Sequence, residues 1–208
     1  MLPRSFPVHP PVLPLWSLTV QSIDEYFEYH RNSPSDINEH MQTLARYSEG
    51  CSHITEMGVR TVVSTWAFLK ARPQKLVCVD INPTPLEYPQ QLAAAQGTTL
   101  EFRQADTADE SFEIEETDLL FIDTWHVYEQ LKREFDLHAE RARRWIILHD
   151  TTTYGEHGEG YTYACATRPA RHRKGLWYAV EEFILQNRHW QLWEKYAHNN
   201  GLTVLARK

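Results

Sequence analysis

Short apolar segments that alternate with helical patterns set the strongest constraint on how this chain can fold. The predicted strands are residues 54–58, 75–81, 98–105, 118–123 and 145–148. The helices predicted between them are residues 61–71, 85–96 and 126–143. Strands that are apolar throughout, rather than at every second position, are typical of parallel sheets covered on both faces. The pattern therefore predicts an α/β fold with a mostly parallel sheet.

The order of elements changes near the C-terminal end. A helix is predicted at 176–187, and strands are predicted at 190–196 and 202–206. The turn sequence Asn-Asn-Gly lies between these strands, and an Asn-Gly pair is a strong hairpin signal. The parallel sheet is therefore predicted to end in an antiparallel pair.

Two helices are predicted before the first strand, at residues 21–31 and 36–50. The second has a capping-box pattern, in which Ser35 or Asp36 caps the helix and Glu39 follows Asp36 at the required spacing. We therefore expect N-terminal helices to pack beside the sheet.

Residues 1–20 are expected to form a proline-rich arm, since five prolines fall within residues 1–16. Proline fixes φ and lacks a backbone donor, so an extended conformation is expected, and the arm is a candidate contact for a homodimer. The chain of 208 residues is long enough for one substantial core, which predicts a single domain over residues 21–208.

Composition argues against several classes of partner. The formal net charge of −7 does not suit a protein that grips the phosphates of nucleic acid. No segment approaches the roughly 20 apolar residues that cross a bilayer, and the first residues lack the apolar stretch of a signal peptide. Three cysteines match no zinc or redox motif, so we expect reduced thiols and a cytoplasmic location.

Acidic residues recur where the predicted strands end, at Glu56, Asp80, Asp106, Asp123 and Asp150. Ligands of an open parallel sheet bind beyond the carboxyl ends of its strands. A capping or solvated role would explain any one of these acids, but their recurrence favours a shared site.

The turn after the first predicted strand carries Glu56, Gly58 and Ser64. Gly58 would let a ligand approach the backbone, the following helix offers free N–H groups, and Ser64 adds a hydroxyl. A dinucleotide site is disfavoured because Gly-x-Gly-x-x-Gly is absent. Asp80 lies 22 residues after Gly58, where a carboxylate can accept both hydroxyls of a ribose.

These motifs resemble those of class I S-adenosylmethionine-dependent methyltransferases, especially the catechol-type metal-dependent O-methyltransferases and the cephalosporin-hydroxylase-like group. Val62 stands where those relatives often have a second glycine. The resemblance implies a Rossmann-like sheet and S-adenosyl-L-methionine as cofactor, with Asp80 on its ribose and Asp106 near its adenine. The other cofactor-binding residues that it implies are Glu56, Gly58, Ser64 and Trp125.

The resemblance extends to Asp123, Trp125 and His126. The catechol-type enzymes have an aspartate metal ligand at the first of these positions, a tryptophan at the second and a catalytic lysine at the third. Histidine replaces that lysine, and it could accept a proton, bind a metal or be merely structural. Asp123 and His126 are therefore candidate catalytic residues.

Asp150 matches the second metal ligand of the same families, while His149 and Thr151 depart from their patterns. The resemblance implies a divalent metal on Asp123 and Asp150, with His149 as a candidate third ligand or base. Mg²⁺ is expected on carboxylates, hydroxyls and water, whereas a histidine ligand would favour Mn²⁺, Fe²⁺ or Zn²⁺.

Residues 151–174 are expected to form a long loop that covers the substrate, with disorder as the alternative. The function implied is metal-assisted methylation of a hydroxyl on a small molecule, such as a sugar or a natural product. The alternatives are a metal-dependent hydroxylase-like enzyme on the same fold and a degenerate binding protein.

Overall fold

The strands form one seven-stranded sheet in the computed structural model, which describes residues 22–208. They are β1 (His53–Met57), β2 (Lys75–Asp80), β3 (Thr99–Gln104), β4 (Thr117–Ile122), β5 (Ala142–His149), β6 (Trp190–Tyr196) and β7 (Leu202–Arg207). The α-helices are α1 (Ile23–Asn32), α2 (Met41–Ser48), α3 (Val63–Lys70), α4 (Glu87–Ala95), α5 (Tyr128–His138) and α6 (Leu176–Gln186). The predicted proline-rich arm lies outside the described residues. No helix in the described part of the chain is long and apolar enough to cross a membrane.

The strand order is β3-β2-β1-β4-β5-β7-β6, in which the first five strands are parallel and β7 runs antiparallel to both of its neighbours. This topology confirms the predicted Rossmann-like sheet with its C-terminal antiparallel pair. The strand order reverses between β1 and β4, and such a switch point is where open α/β sheets bind ligands. Met57 pairs with Val79 on one side and Ile122 on the other, so the carboxyl ends of the three central strands are level.

Helices cover both faces of the sheet and account for its uniformly apolar strands. On one face α1 to α4 form a core in which Phe68 of α3 packs against Phe121 of β4, with ring centroids 5.3 Å apart. On the other face α5 and α6 pack together through Phe135 and Phe183, whose rings stack at 4.2 Å. Burial on both faces explains why these strands lack alternation.

The predicted start of the second helix was wrong. A short 3-10 turn at Asn38–His40 precedes α2, which begins at Met41 rather than at residue 36. Asp36 forms an ion pair with Arg60 instead of capping a helix. The capping box belongs to α1, where Ser22 and Glu25 satisfy each other's backbone N–H groups.

The predicted helix at 126–143 was too long at both ends. α5 ends at His138, a 3-10 turn follows, and β5 begins at Ala142, which pairs with Thr117 of β4. The start of β5 carries exposed arginines, and Arg143 forms an ion pair with Glu116. These charged residues interrupt the apolar run, so the sequence pattern did not indicate a strand before residue 145.

A buried carboxyl on α5 links the helix to the loops at the carboxyl end of the sheet. Glu134 is fully buried and accepts hydrogen bonds from Thr107 Oγ1 at 2.5 Å, Gln130 Nε2 at 2.8 Å and Thr124 Oγ1 at 2.9 Å. Burial raises the pKa of this carboxyl to about 7, although the three hydrogen bonds oppose the shift.

We expect Glu134→Gln to remove part of the pH dependence of stability. The folded pKa lies above the ordinary value of 4.5, so ionisation of Glu134 costs stability as the pH rises from about 4.5 to about 7. The cost reaches about 3 kcal/mol above pH 7. Urea unfolding between pH 4.5 and 8 should show a smaller fall in the free energy of unfolding for the variant than for wild type. The exposed Glu181→Gln is the control, and equal slopes for Glu134→Gln and wild type would contradict this account.

Candidate functional site

A cavity of about 580 Å³ opens at the carboxyl ends of the five parallel strands, β1 to β5. Its volume falls within the usual range for ligand and cofactor pockets. Eight of the ten site residues named from the sequence line it, namely Gly58, Ser64, Asp80, Asp106, Asp123, Trp125, His126 and Asp150. Glu56 and His149 are buried behind its wall.

Gly58 is required by the backbone of a neighbouring strand end. Its φ is +84°, and a Cβ atom there would overlap the carbonyl oxygen of Asp123 and lie 2.6 Å from the carbonyl carbon. Val62, which stands where relatives often have a second glycine, has φ +63° and adopts the left-handed conformation that a glycine would adopt without strain.

Glu56 points away from the cavity. Its carboxylate accepts hydrogen bonds from Ser64 Oγ at 2.5 Å, Thr65 Oγ1 at 2.7 Å and Cys78 Sγ at 3.1 Å. Burial raises its pKa to about 7. Glu56 thus ties the first turn of α3 to β1 and β2, and Ser64 faces both this carboxylate and the cavity. Cofactor contacts by these two residues stay predictions.

Asp80 and Asp106 line the cavity and also stabilise its loops. Asp80 Oδ2 accepts from the backbone N–H groups of Val59 at 2.9 Å and Arg60 at 3.1 Å, which holds the turn after β1. Asp106 Oδ1 accepts from Ala108 N at 2.9 Å, and its Oδ2 accepts from Ala166 N at 2.5 Å. The element that follows Asp106 is β4 rather than a helix, so Asp106 does not cap one; it stabilises a turn and the loop at 151–174 while lining the cavity.

Trp125 follows β4 and forms part of the aromatic wall of the cavity. It is 6% exposed and packs edge-on against Tyr163, with ring centroids 5.6 Å apart. The guanidinium carbon of Arg173 lies 5.4 Å from the Trp125 ring centroid, which favours a cation–π contact.

Two carboxylates and two imidazoles meet where β4 and β5 end. His126 Nε2 lies 3.2 Å from Asp123 Oδ1 and 3.1 Å from Asp150 Oδ2. His149 Nδ1 lies 3.3 Å from Asp123 Oδ2 on the buried side. The structure therefore brings together all four residues predicted for catalysis or metal binding.

The ionisation of this group follows from its mutual contacts. Burial favours a neutral Asp123, but His149 and His126 outweigh it and hold the pKa of the carboxyl well below its usual range. Burial likewise opposes protonation of His126, yet the hydrogen bonds that its ring donates to Asp123 and Glu159 raise its pKa to about 10. Burial raises the pKa of Asp150. The negative and positive charges compensate one another.

Asp123, His126 and Asp150 suit a divalent metal ion. Each offers a ligand atom, and the three atoms lie within 4.8 Å of one another. Adjacent ligands of an octahedral ion with bonds of about 2.1 Å are about 3.0 Å apart, close to the spacing from His126 Nε2 to the two carboxylates. His126 belongs to this converging set, whereas the role of His149 as a third ligand stays a prediction. An imidazole among the donors favours Mn²⁺, Fe²⁺ or Zn²⁺ over Mg²⁺, which prefers oxygen ligands.

The sequence interpretation missed two residues that contact His126. Glu159 Oε2 lies 3.2 Å from His126 Nδ1, and the Tyr154 ring stacks on the imidazole with centroids 4.9 Å apart and planes 6° apart. Both belong to the loop at 151–174, where the only signal was an acid and several tyrosines among glycines. No spacing rule links loop positions to a strand end.

Comparison with known proteins identifies the fold. No protein-family model and no curated protein sequence matches the chain. An O-methyltransferase from Bacillus cereus in complex with S-adenosylhomocysteine superposes with a TM-score of 0.58 at 14% identity, covering 92% of this chain and 94% of that one. A Podospora anserina methyltransferase bound to S-adenosylhomocysteine gives 0.54 at 14% identity, covering 89% and 87%.

A Staphylococcus aureus protein described as a caffeoyl-CoA O-methyltransferase gives a TM-score of 0.60 at 15% identity, covering 90% of this chain and 93% of that one. At such identities the likeness concerns architecture. The chain has the Rossmann-like fold of class I methyltransferases, as its motifs predicted.

We expect Gly58→Ala to destabilise the protein far more than Gly97→Ala. Both glycines have similar φ values, +84° and +87°, so both substitutions incur about 1–2 kcal/mol for the left-handed conformation. A Cβ at residue 97 meets no atom within 4 Å, whereas one at residue 58 forces β4 and Asp123 to move. Denaturant unfolding should separate the two variants by at least about 2 kcal/mol. Equal losses would show that the close approach to Asp123 is unimportant.

Proposed function

We propose that this protein is an S-adenosylmethionine-dependent O-methyltransferase that acts on a hydroxyl of a small molecule with the help of a divalent metal. The observation that carries the proposal is that Asp80, suited to a ribose, shares one cavity with Asp123, His126 and Asp150, suited to a cation. Solved structures of the same fold with bound S-adenosylhomocysteine support the choice of cofactor.

The cofactor half of the cavity lies over β1 to β3. Asp80 would accept the ribose hydroxyls, and Asp106 lies at the end of β3, where it would face the adenine amino group. The turn at Gly58 and the N-terminus of α3 would receive the methionine part, because free N–H groups there favour a carboxylate. Trp125 would complete the apolar wall of this half.

The metal half of the cavity lies at the ends of β4 and β5, where Asp123, His126 and Asp150 would hold the ion. A divalent ion there supplies a Lewis acid that lowers the pKa of a bound hydroxyl and fixes its oxygen. Positioning provides much of the remaining catalysis, because methyl transfer from a sulfonium requires in-line approach of the nucleophile.

Neither histidine in the site suits the role of general base. His126 Nε2 contacts two carboxylates, and its Nδ1 faces Glu159. His149 is 1% exposed, its Nδ1 faces Asp123, and its Nε2 lies 3.3 Å from the carbonyl oxygen of Asn199. We therefore assign His126 to the metal and His149 to the orientation of Asp123, so that proton loss depends on acidification of the bound hydroxyl.

The acceptor would enter beneath the loop at 151–174, where Tyr163 lines the cavity beside Trp125. An aromatic wall suits the flat face of a sugar or an aromatic natural product.

The hydroxylase-like alternative predicts a different product, because hydroxylation adds an oxygen atom and methylation adds a methyl group. The product mass distinguishes them.

We expect Asp123→Asn and Asp150→Asn each to lower methyl transfer at least about 100-fold, since each removes a charged ligand. Transfer is measured as S-adenosylhomocysteine release with a panel of sugar and phenolic acceptors and Mn²⁺. Binding of S-adenosylmethionine in calorimetry should change less than about threefold, because the cofactor would lie over the other strands. The exposed Asp136→Asn is the control. Full activity in either site variant, or in excess chelator, would discard the metal role.

Asp80→Asn should have the opposite profile. Loss of the carboxylate charge removes its strong hydrogen bonds to the ribose, so S-adenosylmethionine affinity should fall about tenfold or more. Mn²⁺ affinity, measured separately by calorimetry, should stay unchanged because Asp80 lies outside the converging ligand set. If wild type bound no S-adenosylmethionine, the degenerate binding protein would be favoured instead.

A further inference from the structure

The imidazole of His126 is held by the loop at 151–174. Its Nε2 faces Asp123 and Asp150, while on the opposite edge its Nδ1 lies 3.2 Å from Glu159 Oε2. The ring of Tyr154 stacks on one face at 4.9 Å and is nearly parallel to it. The loop therefore limits both rotation and tilt of this ring.

The carboxylate of Glu159 is itself fixed in place. The backbone N–H of Glu159 donates to His126 O at 2.9 Å, and Arg173 Nη1 donates to Glu159 O at 2.6 Å. Tyr163 OH donates to Glu159 Oε1 at 3.3 Å, which leaves Oε2 to face the imidazole. The side chain is 17% exposed. Both the backbone and the side chain of Glu159 therefore connect the loop to the residues that follow β4.

We propose that Glu159 is the positioning residue of the metal site, accepting the Nδ1–H of His126 so that the Nε2 lone pair points between Asp123 and Asp150. The inference rests on the metal site of the proposed function and adds a residue that touches neither metal nor substrate. A carboxylate on the far nitrogen of a metal-binding imidazole fixes its tautomer and orientation and increases its basicity.

The arrangement also joins two parts of the site. The loop that would cover the acceptor carries Glu159 and Tyr154, so the donor geometry of His126 depends on the loop being in place. The acceptor cover and the proposed metal site thus form one unit. Displacement of Glu159 should weaken metal binding more than it weakens cofactor binding.

The test is calorimetric titration of the full chain with Mn²⁺. Glu159→Gln keeps the size of the side chain but removes its charge, and Mn²⁺ affinity should fall about tenfold; Glu159→Ala should lower it up to about 100-fold. Glu156→Gln removes the same charge from an exposed position of the same loop and should leave the affinity within about twofold. Affinity for S-adenosylhomocysteine should not change in any of these variants, and a parallel loss would indicate a distorted fold and overturn the proposal.

A double-mutant cycle tests whether Glu159 acts through His126. In a His126→Ala background, Glu159→Gln should change Mn²⁺ affinity less than about twofold, because the group that it positions is gone. An equal loss in both backgrounds would mean that Glu159 acts as a ligand or by charge alone, and would overturn the proposal.

The outcomes also separate this inference from the proposed function. Failure of wild type to bind Mn²⁺ would refute the metal site itself, and the positioning role with it. Tight binding by wild type and equally tight binding by Glu159→Gln would leave the metal site standing and refute only the positioning role.

Discussion

Two carboxylates held side by side at a strand edge are the constraint on which the site depends. β4 and β5 pair in parallel with Ile122 opposite Leu148, so Asp123 leaves β4 beside the point where His149 and then Asp150 end β5. Ligand atoms of Asp123 and Asp150 lie within 4.8 Å of each other. Like charges in a partly buried place repel each other unless cations offset them.

The cofactor half is coupled to this pair through the backbone. The turn after β1 approaches the Asp123 carbonyl so closely that Gly58 leaves no room for a side chain. Asp80 holds the same turn by accepting from Val59 and Arg60. In the proposed function, the distance between the nucleoside and the cation would therefore be set by the sheet and one tight turn. This rigidity suits a reaction in which geometry provides much of the rate.

The loop at 151–174 contains no helix or strand, yet tertiary contacts hold it along its length. Thr152 N donates to Asn200 O at 2.8 Å, which ties its beginning to the turn between β6 and β7. His157 forms an isolated bridge with Lys174 near its end. Ala166 N donates to Asp106 in the half proposed for the cofactor, and Glu159 contacts His126 in the half proposed for the metal. The loop spans both halves, as a cover over the acceptor would.

The sequence alone determined the sheet, because burial on both faces leaves apolar segments that can be read without knowing their neighbours. It also determined that acids end these strands, and hence where a cavity forms. Only the tertiary structure decided how the side chains point. Glu56 turns inward to Ser64, His126 converges with both carboxylates while His149 contacts them from the buried side, and Glu159 reaches the imidazole of His126 from a loop. Side-chain direction at a strand end depends on hydrogen-bond partners distant along the chain, which local periodicity does not encode.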